Sequence, residues 1–119
     1  MNRYVVGIGT FFLFIPIGFS DASAQSITFS RNIALKIGQS VIVHGIRGRT
    51  CSDGAPSWSQ AKAELPSSSL GSFSDGGVGT RNSRACGGMV PARAVRFKAI
   101  RKGSEVLNIQ QDPISVTIN

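Results

Sequence analysis

The stretch VRFKAIRKGSEVLNI at residues 95–109, followed by ISVTI at 114–118, decides the fold class. Side chains of an extended chain alternate between two faces, so Val95, Phe97 and Ala99 share one side while Arg96 and Lys98 take the other. Arg101-Lys102-Gly103-Ser104 reads as a hairpin turn, and Val106 to Ile109 as the returning strand. Asp112-Pro113 reads as a second turn, after which Ile114, Val116 and Ile118 alternate with polar partners.

Outward from this stretch, the same period recurs near the start. Ser26 to Ser30 reads as a first strand with Ile27 and Phe29 facing one way. Ile33, Leu35 and Ile37 alternate with Ala34 and Lys36, Gly38-Gln39 supplies a turn, and Ser40 to Ile46 is rich in β-branched residues. The middle differs. Gln60 to Leu65 favours one or two helical turns. Pro66 to Pro91 is dense in Ser and Gly and reads as one long surface loop, with short strands admissible around Gly71–Ser74. The expected fold is an all-β, small antiparallel β-sandwich with one long disulfide-pinned loop.

The first residues have the three parts of a secretory signal peptide: Arg3, an uncharged apolar run from Tyr4 to Phe19, and Ala22-Ser23-Ala24. Cleavage is expected before Gln25, giving a 1–24 leader and a single 25–119 domain without an integral membrane segment. Pro16 and Gly18 interrupt the run before it reaches the roughly 20 residues of a spanning helix. The mature domain is therefore expected outside the cytoplasm, periplasmic or secreted. At this size its core is thin.

Two cysteines, Cys51 and Cys86, remain in the expected mature chain. In an oxidising compartment such a pair reads as a disulfide, and closing a loop of about 36 residues stabilises by roughly 3–4 kcal/mol. The formal net charge of the chain is +7, unchanged by loss of the leader, which removes Arg3 and Asp21. Arg47 and Arg49 precede Cys51, and Arg81 and Arg84 precede Cys86, so the disulfide draws four arginines into one region; Arg93 and Arg96 follow closely. Guanidinium groups grip phosphate and carboxylate through paired hydrogen bonds. The surface therefore reads either as a solubilising cationic face or as the site of an anionic partner, an anionic polymer or an acidic protein surface. Trp58 reads as a core anchor or as an exposed aromatic beside the arginines.

The residues 95–109 and 114–118, together with LKIGQSVIV at 35–43, resemble the closing and opening strands of bacterial immunoglobulin-like domains. The resemblance implies an immunoglobulin-like sandwich for this exported protein. Among such domains the chagasin-type inhibitors of cysteine proteases invite comparison in size, export and Gly-rich loops, with Gly76-Gly77-Val78-Gly79 or Gly87-Gly88 in the loop role. Their N-P-T-T-G and R-P-W/F loops have no counterpart here.

Catalysis has little material. His44 is the sole histidine and sits in an apolar strand between Val43 and Gly45. A Cys51–His44–Asn82 nucleophile requires a reduced Cys51 and leaves Cys86 unexplained. Asp53-Gly54 and Asp75-Gly76 are turn dipeptides, and Asp75 to Thr80 lacks the G-K-[ST] of a phosphate loop. One histidine and two cysteines do not make a zinc pattern. No enzyme activity and no cofactor are expected. The expected function is a non-enzymatic binding module whose cationic loop surface, Arg47, Arg49, Arg81 and Arg84 with Trp58, engages an anionic envelope or extracellular partner. A protein–protein module such as a protease inhibitor, acting through the same loops, is the alternative.

Overall fold

The structure, a computed structural model, describes residues 25–119. The expected leader lies outside the described residues. Among them are β1 (Gln25–Ser26), β2 (Asn32–Leu35), β3 (Ser40–Arg47), α1 (Trp58–Lys62), β4 (Gly71–Ser83), β5 (Gly88–Ala99), β6 (Gly103–Ile109) and β7 (Asp112–Ile118). They form two facing sheets, one of order β1-β4-β5-β3 and one of order β2-β7-β6.

The alternating strands pack as their pattern requires. Val43, Ile46, Val95, Phe97 and Ala99 from the first sheet meet Leu35, Leu107, Ile109, Ile114, Val116 and Ile118 from the second in one buried core. Burying side chains of this size stabilises by about 1.5–3 kcal/mol each. The alternate face of β5 carries Ala92 and Ala94, which form a smaller cluster with Ile27, against which Ile42 packs. Helix α1 is short but well begun. Ser57 accepts the Gln60 amide, and the Gln60 side chain accepts the Ser57 amide, closing a capping box that contributes about 1 kcal/mol. Its buried Ala61 and partly buried Trp58 dock it on the main core.

Several sequence expectations are corrected. Pro66–Pro91 is not one long loop. Gly71–Ser83 and Gly88–Ala99 are the two arms of a long hairpin, paired from Gly71↔Ala99 to Ser83↔Gly88. The glycines there serve contact rather than slackness. A Cβ on Gly71 would stand 2.3 Å from the Phe97 ring, and one on Gly79 would stand 2.5 Å from the Gln25 backbone oxygen. Arg101-Lys102 is not a hairpin turn, because β5 and β6 belong to different sheets and the chain crosses between them. Asp112 and Pro113 lie inside β7, so the turn falls on Gln110-Gln111. Nor is the sandwich wholly antiparallel. β1 runs parallel to β4, and β2 parallel to β7.

Two irregularities shape the end of the molecule that carries the disulfide. The register shifts between Asp75 and Val78 in β4, where Gly77 has φ +92°, and between Ile42 and His44 in β3. Bulges of this kind bend a strand and increase its twist. The result is a sheet curled tightly enough that Arg81 on β4 hydrogen-bonds Gly45 on β3, past the intervening β5.

Candidate functional site: an arginine-lined groove

Five segments near the disulfide end contribute to one open groove of about 900 Å³. Phe29 and Arg31 come from the β1–β2 connection, Arg47 from the end of β3, and Glu64 from the chain after α1. Arg81, Asn82 and Ser83 end β4, Arg84 lies in the following turn, and Gln110, Gln111 and Asp112 come from the β6–β7 turn.

The disulfide between Cys51 and Cys86, with Cα atoms 5.5 Å apart, ties the chain before α1 to the tip of the β4–β5 hairpin. The expected bond is present, and Cys51 is no nucleophile. A buried serine completes the tip. Ser83, 2% exposed, accepts the Cys86 amide at 3.3 Å.

Gln110 is the hub of the groove. Its Oε1 accepts from the Arg47 amide at 3.1 Å and from Arg81 Nη1 at 3.2 Å. Its Nε2 donates to the Arg47 carbonyl and to Glu64 Oε1, both at 3.2 Å. A primary amide offers two acceptor sites and two donors, and here all four are used. Reaching this position has a conformational cost. Gln110 and Gln111 have φ of +46° and +70°, a pair of left-handed residues closing a two-residue hairpin turn where Asn-Gly is the usual choice. Non-glycine residues held in such a conformation cluster at functional sites.

Behind the groove lies His44, 1% exposed. Its ring faces Phe29 at a centroid distance of 4.3 Å. Nδ1 accepts the Gly45 amide at 2.8 Å, which leaves the proton on Nε2, 2.8 Å from Asp112 Oδ2. Burial pushes the imidazole pKa below its usual value. The Asp112 hydrogen bond opposes this, the Arg81 charge adds to it, and the Asp112 charge opposes it again. His44 is thus a neutral donor that orients Asp112.

Arg81 is half-buried, and burial lowers its pKa, with Asp112 opposing and Arg47 reinforcing the shift. A guanidinium stays charged regardless. Its bonds to Gly45 O at 3.0 Å and to Gln110 hold it in place. Arg47 Nη1 donates to the Gly48 carbonyl at 3.0 Å. The guanidinium groups of Arg31 and Arg84 make no hydrogen bond or ion pair among the described residues. Four arginines therefore line the groove against two carboxylates, and each carboxylate already accepts a bond, Asp112 from His44 and Glu64 from Gln110.

Of the arginines expected at the site, Arg47, Arg81 and Arg84 are brought together. Arg49 lines a neighbouring hollow of about 760 Å³ with Arg47 and Asp53, outside the groove. Trp58 packs against the main core and lines neither space. Arg93 is spent on structure, bonding Pro56 O at 2.9 Å and Asp75 at 3.2 Å. Sequence reasoning missed Arg31, Phe29 and Gln110. The one available signal was Gln110-Gln111, two bulky residues filling the tightest gap between alternating strands. No helix among the described residues is long and apolar enough to cross a membrane. Comparison with protein-family models, curated proteins and solved structures finds no match.

Proposed function

We propose that this is a small exported binding module, without catalytic chemistry, whose groove holds an anionic group, carboxylate or phosphate, of a polymer in the cell envelope or outside it. The observation that carries the reading is the convergence of Arg31, Arg47, Arg81 and Arg84 from three separate segments onto one groove whose carboxylates are already engaged. Arg81 is fixed before any ligand arrives, so little side-chain ordering is left to oppose binding. Arg31 and Arg84, whose guanidinium groups are unbonded among the described residues, supply forks for paired hydrogen bonds. Export rests on the leader pattern and agrees with the disulfide. The immunoglobulin-like reading of the sandwich belongs to the same proposal, supported by the two-sheet arrangement. No separate observation favours the inhibitor alternative. Gly76–Gly79 lies within β4, where Gly76 and Gly79 pack against Ile42, Ala94 and Gln25, and of these glycines only Gly87 and Gly88 have open space around them, at the disulfide-tied tip.

The test is retention of residues 25–119 on a delipidated envelope fraction across a salt series, with Arg31→Ala/Arg84→Ala as comparison. Retention is expected to weaken steeply with salt and to drop several-fold in the variant. Salt-insensitive retention, or equal retention of the variant, rejects the groove as the working surface.

A further inference from the structure

We propose that the end of the sandwich opposite the groove docks on an anionic lipid bilayer, with Ile37 and Ile100 entering the headgroup layer and Lys36, Lys98, Arg101 and Lys102 meeting the lipid phosphates. The two isoleucines sit on neighbouring turns. Gly38 donates to Ala99 O at 2.8 Å and Ala99 donates to Gln39 O at 2.9 Å, so the β2–β3 and β5–β6 connections are bonded side by side. Each isoleucine is 51% exposed at its tip. A single exposed isoleucine is ordinary. Two on rigid, adjoining turns, each flanked by exposed basic residues, are not explained by packing within this chain.

The charge around them is mostly positive. No acidic residue occurs from Arg31 to Arg49 or from Gly76 to Ser104. Lys36, Lys98, Arg101 and Lys102 are all exposed. Glu105 is the carboxylate that approaches this end in β6, and it is occupied by the Ser68 hydroxyl and by the Ser69 amide at 3.4 Å. Asn119 also reaches this end, its amide bonded to Leu35 O. Apolar tips ringed by lysine and arginine match a surface that is negative outside and apolar beneath, because interfacial binding sums buried apolar area and attraction to anionic lipid. An acidic protein face satisfies the charges, but it must also offer an apolar hollow to each isoleucine, which a bilayer supplies without shape matching. The groove lies at the other end, where Ser83 meets Gly88 and Ile109 meets Asp112, so both surfaces can be occupied at once.

The experiment is co-sedimentation of residues 25–119 with vesicles of phosphatidylglycerol and phosphatidylcholine, compared with pure phosphatidylcholine. Parent protein is expected to bind the anionic vesicles and to be released by salt. Ile37→Ser/Ile100→Ser is expected to weaken binding by roughly tenfold or more. Because both side chains are exposed, circular dichroism should show the variant folded. Arg31→Ala/Arg84→Ala, at the groove, is expected to bind vesicles as the parent does, which separates this proposal from the groove reading. Unchanged binding of the isoleucine variant overturns the proposal. So does equal binding to phosphatidylcholine alone, or a protein dimer that the isoleucine variant dissociates in place of any vesicle binding.

Discussion

Mild acid should loosen this protein through one buried side chain. His44 is held neutral between the Gly45 amide at Nδ1 and Asp112 at Nε2, with the Phe29 ring against it. A second proton has nowhere to go, since Nδ1 already accepts a bond. Burial accordingly puts its folded pKa below the unfolded value of about 6.5. Between those two values the unfolded chain binds the proton and the folded chain does not. Stability is therefore fully present above pH 7 and declines as pH falls below about 6.5 toward the folded pKa. The limiting slope for one proton is about 1.4 kcal/mol per pH unit. With a urea dependence of about 1 kcal/mol per M for so small a domain, the unfolding midpoint should fall as pH drops below about 6.5, by at most about 1 M per pH unit. The assay is urea unfolding at pH 7.5, 6.5, 5.5 and 5.0 for the parent and for His44→Gln, whose comparison cancels the titration of the surface carboxylates. The variant should be about 1–3 kcal/mol less stable at pH 7.5, having lost the orienting bond to Asp112, yet lose less on acidification. Identical pH slopes in the two proteins would refute the assignment to His44. A parent that gains stability toward pH 5.5 would show that the Asp112 pairing outweighs burial and that the folded imidazole is charged.

Four further outcomes follow from the geometry. Cys51→Ser/Cys86→Ser should cost about 3–4 kcal/mol in urea unfolding, since it frees a 35-residue separation between α1's approach and the hairpin tip. Gly79→Ala should cost about 1–3 kcal/mol and speed exchange of the Ile27 amide, which is bonded to Thr80 O, because the new Cβ overlaps the Gln25 backbone. Gly87→Ala, with open space but φ +75°, should cost only about 1–2 kcal/mol. Gln111→Gly should raise stability by roughly 1 kcal/mol by relieving its φ of +70°, and leave salt-sensitive retention on the envelope fraction unchanged, because the bonds to Arg47 and Arg81 come from Gln110.

What was legible in the sequence was what periodicity encodes. Val95, Phe97 and Ala99, Leu107 and Ile109, and Ile114, Val116 and Ile118 are buried as their alternation requires. The cysteine pair was equally readable. Residues 66–91 were not, because glycine has two meanings. At Gly87 it permits a left-handed turn, whereas at Gly71, Gly76 and Gly79 it admits a neighbouring strand or ring that any Cβ would displace. Composition cannot tell these apart, so a 13-residue strand read as a loop. The groove was half legible for a related reason. Arg47, Arg81 and Arg84 follow from the disulfide, but Arg31 and Gln110 reach the groove only through the parallel β2–β7 pairing and the β6–β7 turn, neither of which leaves a periodic trace.

The disposition of strain and bracing in so small a domain bears on how the groove works. The left-handed Gln110-Gln111 pair would relax at little cost in an unbraced turn, and the Gln110 amide would then leave Arg81. Here that turn is opposed from several sides. Gln110 is bonded to both the amide and the carbonyl of Arg47, His44 fixes Asp112 at the first residue after the turn, and the Cys51–Cys86 bond holds the β4–β5 tip that carries Arg84. These constraints also support the domain, since Ile46 and Ile109 of the main core adjoin Arg47 and Gln110. Their common effect is to fix the Arg81 guanidinium, and the backbone positions from which Arg47 and Arg84 project, beside an open groove. A surface meant only to keep a cationic protein in solution has no need of fixed spacing, since long charged side chains solvate better when free. A groove that reads the position of carboxylates or phosphates does need it, because paired hydrogen bonds fail when the donors drift. The strained turn and the bonds that hold it thus argue for recognition more strongly than the net charge does.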